Sequence, residues 1–303
     1  MTQSIEFQKT ADGMRAASIG HLVMAIAVTE NGFRNLIYAG SREVEDLQRS
    51  DFMNDGPADQ AEKDCIARIT SEAEDQVQKG LLGRRQLTDE ELKQLPNTDW
   101  GKADGATYYA PGIVSVFTPS HGGYIITDEV RATLPKEARI KSRSRIGHVP
   151  GQTVTVSNFS FYEEDCAWAL LALGKPSIFT DREREYAERV LINDFPDEWE
   201  AVRGEIIPAG ESRTREYQRK RAEAAGKLLT ISAINDKNNP GKVRVGACID
   251  GRSNNGSLGK IREFLVDAAR YETADMQIGY IVDEALDIEI DANGQPLSVA
   301  KAA

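Results

Sequence analysis

Histidine and cysteine are both scarce in this chain, with three of each among 303 residues. Cys65, Cys166 and Cys248 are widely separated and form no C-x-x-C pair, which excludes a disulfide framework and a cysteine-rich zinc knot. His21, His121 and His148 lie far apart, and no two share the spacing that presents a pair of ligands on one helix. The local sequence therefore predicts no metal and no cofactor. Two other motifs are missing. Gly259-Lys260 is followed by Ile261, and Asn254 stands where a phosphate-cradling P-loop needs its first glycine. Gly251-Arg-Ser253-Asn-Asn255 lacks the closing glycine of a nucleophile elbow by one place. No apolar run approaches the roughly 18 residues of a membrane span. The opening MTQSIEFQKT has no charged-then-apolar leader, so the expectation is a cytoplasmic protein with reduced thiols and no membrane contact.

What the chain does contain is ordinary for a globular protein: 40% hydrophobic and 28% charged residues. At roughly 100 to 200 residues per domain the length predicts two domains or three small ones. The net charge of −11 is unevenly spread. Residues 1–100 carry 11 bases and 18 acids, residues 101–200 carry 11 and 15, and residues 201–303 carry 15 of each. Such a field opposes contact with phosphate backbones, so no direct nucleic-acid binding is expected, and it favours a partner with a basic surface. Two runs reverse the sign. One comprises Arg131, Lys136, Arg139, Lys141, Arg143 and Arg145, and the other Arg213, Arg215, Arg219, Lys220 and Arg221. Each reads as a binding edge, a solvated helix face or a loop.

Patterning predicts an α+β fold of mixed small sheets with packed helices in two to three subdomains: an acidic N-terminal unit (1–97), a central domain (98–204) and a C-terminal α/β unit (205–303). In the first, apolar runs at 19–28 and 33–39 flank Asn31-Gly32, a hairpin signal. Residues 41–95 then turn charged and helix-favouring, with a break at Asp55-Gly56-Pro57 and a capping-box spacing, Thr88 to Glu91, opening a short helix. The central domain offers two short strands joined by a turn at Pro119–Gly123, a strand over TVTVSNFSFY, a buried helix from Glu163 to Leu173, and a second capping box at Thr180–Glu183. Gly204, Pro208 and Gly210 mark a linker. Beyond it come a basic helix to about Leu229, a strand in KVRVGACID, a Gly/Asn-rich loop at 251–259, a helix over IREFLVDAARY and a strand at 285–290. The last ten residues read as frayed.

One constellation carries chemistry. His121 sits in a Ser-His-Gly-Gly turn, and Glu163, Glu164 and Asp165 follow some forty residues later at the start of an apolar helix. An imidazole beside two glycines lets a substrate approach the backbone, and a carboxylate orients it for general acid/base catalysis. The three acids alternatively hold a divalent ion through hard oxygen ligands. If all three lie in the helix, the roughly 100° between successive residues lets at most two serve one site. A structural reading competes: acids gather in first helical turns because the dipole favours negative charge there, and paired glycines make tight turns. Cys166, with Trp168, Leu170 and Leu171, reads as core.

The strings YYAPGIVSVFTPSHGGY and FYEEDCAWALLAL, with the helix after Phe179, resemble an uncharacterised domain family found in proteins of bacterial plasmids and phages, over about residues 98–203. Trp100-Gly101, His121 to Gly123 and Tyr162 to Cys166 carry the likeness. The chain departs from it in a longer basic stretch, Lys136 to Ser160, between the His-Gly-Gly strand and the acids. The resemblance supplies no mechanism. It implies an accessory protein of a mobile element, and with the acidic composition it leads to the expectation of a stoichiometric counter-defence inhibitor, of anti-CRISPR or antirestriction type, that binds a basic, nucleic-acid-handling host complex. The alternative is a hydrolase or transferase that uses His121 with Glu163, Glu164 and Asp165 as an acid/base or metal site.

Overall fold

Alternating apolar and polar residues near the N-terminus build a five-stranded antiparallel meander in the computed structural model, which describes residues 5–151, 156–251, 259–275, 277–291 and 293–297, without the side chains of 156 and 157. Its strands are β1 (Gln8–Lys9), β2 (Arg15–Ile19), β3 (Leu22–Thr29), β4 (Gly32–Ala39) and β5 (Met53–Gln60), paired in chain order. The expected hairpin is β3–β4, closed by Thr29 opposite Gly32. Its chemistry differs from the Asn-Gly expectation. Among the described residues only Asp250 is a non-glycine with positive φ, so Asn31 does not adopt the left-handed geometry of a type I′ turn. Gly32, at φ +153°, is needed because a Cβ there would lie 2.7 Å from the Gln60 carbonyl of β5.

The Asp55-Gly56-Pro57 break is not a gap between helices. It lies inside β5, an edge strand on which the missing proline N–H costs no ladder bond. Helix α1 (Glu62–Leu81) follows and packs Cys65 and Ile69 against Ala17, Ile19, Met24 and Ile26 of the sheet. The opposite sheet face buries Ala16, Val23, Ala25 and Leu36 under the short turns carrying Val44 and Leu47. After β6 (Arg85–Gln86), the Thr88 capping box opens α2 (Asp89–Gln94), with the Glu91 N–H donating to Thr88 Oγ1 and the Thr88 N–H to Glu91 Oε2.

The central sheet has the order β10-β11-β9-β8-β7-β6, all antiparallel. Its remaining strands are β7 (Gly105–Ala110), β8 (Ile113–Phe117), β9 (Gly122–Thr127), β10 (Arg143–Ile146) and β11 (Val156–Glu163). Three strands stand where two were expected in 105–127, and the expected turn is shorter, since Gly122 and Gly123 already belong to β9. Residues 152–155 of the expected TVTVSNFSFY strand lie outside the described residues. Short α3 (Asp128–Ala132) joins β9 to β10. The first basic run is mostly consumed here. Arg131 donates to the Ile140 carbonyl, Arg139 to those of Leu134 and Ala132, and Arg143 and Arg145 both pair with Asp99.

The largest correction in this region concerns the acids. Glu163 is the last residue of β11, Glu164 and Asp165 lie in a turn, and α4 begins only at Trp168 (Trp168–Gly174). Helix α5 (Asp181–Asp194) opens with the second capping box, Thr180 to Glu183, and α6 (Pro196–Arg203) carries Trp199. Trp168, Leu170 and Leu171 are buried as expected, while Cys166 is half-buried.

The chain divides into two compact units, Met1–Leu191 with Asp197–Gly204, and Ile192–Pro196 with Glu205–Ala303. Residues 1–97 and nearly all of 98–204 thus share one unit. The second unit holds α7 (Arg213–Glu223), which is the second basic run, and an antiparallel sheet of β12 (Leu228–Asn235), β13 (Lys242–Ile249), β14 (Arg262–Asp267) and β15 (Ile288–Ile290), with α8 (Ala268–Tyr271) after β14. The helix expected over IREFLVDAARY is a strand for most of its length. Phe264, Leu265 and Val266 are buried and pair with β13, and only the last four residues turn helical. The basic helix also ends earlier than expected, because Leu228 and Leu229 start β12. Residues 252–258 of the Gly/Asn-rich loop and 298–303 of the C-terminal stretch lie outside the described residues.

Candidate functional site

His121 is placed by a hydrogen-bonded turn. The Thr118 hydroxyl donates to the His121 carbonyl at 2.8 Å and accepts the His121 N–H at 3.2 Å, while the Thr118 N–H reaches the same carbonyl at 2.8 Å. The imidazole is left exposed at the head of β9. On the neighbouring strand Glu163 pairs with Gly123, and the Glu164 N–H donates to the Gly122 carbonyl at 3.1 Å. The long basic stretch from Lys136 to Ser160 does not separate the two halves. It runs out through β10 and returns along β11 beside β9.

Gly123 is sterically required, and Gly122 is closely packed. A Cβ on Gly122 would collide with the Glu164 carboxylate and lie 3.0 Å from the Val116 carbonyl. Gly123 has φ +154°, and a Cβ there would overlap the Tyr162 carbonyl and the ring of Trp100. Trp100 itself meets Phe161 edge-on, with centroids 6.3 Å apart, and its N–H donates to Thr98 Oγ1. Trp100-Gly101, His121–Gly123 and Tyr162–Asp165 are therefore one packed unit. The glycines have a structural reason to be there; that reason does not extend to His121, Glu163 or Asp165.

Those three side chains converge. One ligand atom from each of His121, Glu163 and Asp165 lies within 4.8 Å of the others. Glu164, the fourth sequence candidate, is not part of this group and rests against Gly122. Because the acids precede α4, neither the helix-dipole explanation for them nor the 100° restriction on their directions applies. Oε1 of Glu163 is buried and has no hydrogen-bond partner. Leaving a buried polar atom unpaired costs about 1–3 kcal/mol, more for a charged one, so this oxygen has room for a further partner. Among the described residues no hydrogen bond or ion pair joins His121 to either acid. The donors point towards a common region without quenching one another.

Residues 93–225 match the model of a domain of unknown function (DUF7007). That span covers every residue of the cluster. No curated protein and no solved structure matches the chain. The DUF7007 match is thus an uncharacterised domain and brings no assigned chemistry. No helix among the described residues is long and apolar enough to cross a membrane.

The sequence names all three donors together with Glu164; the pairing of β9 with β11 is what selects His121, Glu163 and Asp165, which come from a turn, a strand end and a second turn.

Proposed function

We propose that the DUF7007 segment is the working part of the chain and that His121, Glu163 and Asp165 together bind a divalent cation, in support of hydrolysis or group transfer. The observation that carries this reading is the convergence of one imidazole and two carboxylates, unpaired with each other, from three separate backbone positions. A mixed nitrogen and oxygen set suits Zn²⁺ or Mn²⁺ better than the all-oxygen preference of Mg²⁺ and Ca²⁺. Three protein ligands leave coordination positions open, and an ion held there would polarise a substrate oxygen or lower the pKa of a bound water. Zinc ligands at about 2.0–2.2 Å from the metal also lie within 4.8 Å of one another, so the spacing is of the right scale for one ion. The test is metal-dependent turnover of chromogenic phosphate esters and acyl esters by the full chain. His121→Ala is expected to abolish turnover while the melting temperature holds, and metal-independent turnover in this variant would refute the assignment.

A second reading, a stoichiometric counter-defence inhibitor from a mobile element, is favoured by a different observation. Glu43, Glu45, Asp46, Asp64 and Glu74 are exposed and carry no ion pair among the described residues, whereas most bases of this segment are already paired. Unpaired acids of this kind, on elements covering both faces of the N-terminal sheet, suit a basic, nucleic-acid-handling partner complex. Capture of one dominant basic complex from host extract, lost on charge reversal, is its test.

A further inference from the structure

The C-terminal unit is rich in arginine and lysine, and most of these cations are matched to a carboxylate. Arg219 pairs with Glu216 and Glu223, Lys220 with Asp275 at 2.7 Å, Arg244 with Glu263, Arg262 with Glu289 and Arg270 with Asp287. Arg221 is different. It is half-buried on α7, has no ion pair or hydrogen bond, and lines a cavity of about 240 Å³ with no acid in its wall, both among the described residues. Tyr217 supplies a hydroxyl, and Leu229, Ile231 and Ile278 supply apolar surface.

The acids that adjoin wall residues in sequence are occupied elsewhere. Asp250 accepts the Gly226 N–H at 2.6 Å, and Asp275 accepts from Lys220 and from the Gln277 N–H. Gly251, in the left-handed region at φ +63°, gives the guanidinium its room. A Cβ there would lie 3.3 Å from Arg221 Nη1 and 3.2 Å from Leu229 Cβ. A half-buried cation and a wall without acids among the described residues call for an anion.

We propose that this pocket binds a small carboxylate with an apolar body, independently of the His121 cluster. A guanidinium fork matches a carboxylate with two parallel N–H bonds. Arg221, the one cation among the described residues of the wall, balances one negative charge, whereas a phosphate dianion would leave a charge uncompensated against Leu229, Ile231 and Ile278.

The test is an amide-resolved NMR titration of the full chain with benzoate, with benzyl alcohol and inorganic phosphate as comparison probes. Benzoate is expected to saturate and to shift the amides of Thr230, Ile231 and Ile278. Arg221→Gln should weaken it by about tenfold or more, as loss of a charge-assisted bidentate contact does. Benzyl alcohol and phosphate are expected to be weaker than benzoate at these amides. The proposal fails if benzoate does not saturate, if Arg221→Gln binds it as well as the native chain, or if phosphate binds the same amides more tightly. Should Arg221→Gln melt far below the native chain, Arg221→Lys decides, since it keeps the charge and removes only the planar fork. A several-fold loss of benzoate affinity supports the pocket, and no loss overturns it.

Discussion

Gly123 and Trp100 compete for one volume: a Cβ on the glycine would lie 2.6 Å from Cη2 of the tryptophan, closer than nonbonded carbons approach. This contact ties the strand that begins just after His121 to the loop before β7, and through the Gly123–Glu163 pairing it fixes the strand end that delivers Glu163.

Gly123→Ala is therefore expected to destabilise the protein by about 2–4 kcal/mol, combining an unfavourable φ with an overlap that backbone on one side and a ring on the other cannot relieve. Urea denaturation measures it. Trp100→Ala in the same background should recover part of the loss, because it removes the ring but leaves the strained φ and the Tyr162 carbonyl. A loss below about 0.5 kcal/mol, the usual range for an uninvolved surface site, would contradict this packing.

The N-terminal sheet is coupled to the central domain through α1 and α5. Asp75, 5% exposed, accepts a hydrogen bond from Thr180 and pairs with Lys79, and Glu72 pairs with Arg182. Burial pushes the Asp75 carboxyl up, but the bonds from Lys79 and Thr180 outweigh it and hold the group below its ordinary value of 3.8. A carboxyl depressed on folding contributes stability that is fully present above its unfolded pKa and is lost as pH falls through the lower folded value. Asp75→Asn should cost about 1–3 kcal/mol at pH 7 and flatten the loss of stability below about pH 4. Denaturation curves from pH 2 to 7 check both, and an unchanged acid limb would remove Asp75 from the coupling.

The C-terminal unit has the opposite dependence. Burial, and then the hydrogen bond that Tyr280 donates to Asp287, push the Tyr280 hydroxyl up to about 12. A pKa raised on folding stabilises below the unfolded value of 10.0, and that stability disappears as pH rises through about 12. Burial raises Tyr109, Tyr124 and Tyr162 as well, so absorbance titration at alkaline pH should show several late phenols, one fewer in Tyr280→Phe, together with a shallower alkaline loss of stability in that variant. An identical titration curve for the variant would refute the assignment.

Reversing Glu45, Asp46, Asp64 and Glu74 to lysine tests the inhibitor reading separately. These exposed side chains carry no ion pair among the described residues, so stability should stay within about 0.5 kcal/mol at each site, while capture of a basic partner falls and loses its salt dependence. Undiminished capture would leave the acidic surface without a role in binding.

Local rules were legible and tertiary ones were not. The capping boxes at Thr88–Glu91 and Thr180–Glu183 appear as read, because a cap involves residues three apart. IREFLVD was misread as helix because its run of buried Phe264, Leu265 and Val266 carries no period that separates strand from helix; pairing with β13 decides it. Asp55-Gly56-Pro57 looked like a helix boundary and is an edge strand, a distinction that depends on which neighbour is absent. For the site, the residue types were legible and the geometry was not. Placing Glu163 on a helix made its acids look like caps, whereas the strand end directs Glu163 towards the histidine turn.

Titration calorimetry of the full chain with Zn²⁺ and with Mn²⁺ tests the central claim most directly. One ion per chain is expected, with His121→Ala, Glu163→Gln and Asp165→Asn each weakening binding by about tenfold or more, equivalent to about 1.4 kcal/mol, and Glu164→Gln having little effect. Absence of saturable binding, or equal binding by the native chain and all three variants, would contradict it.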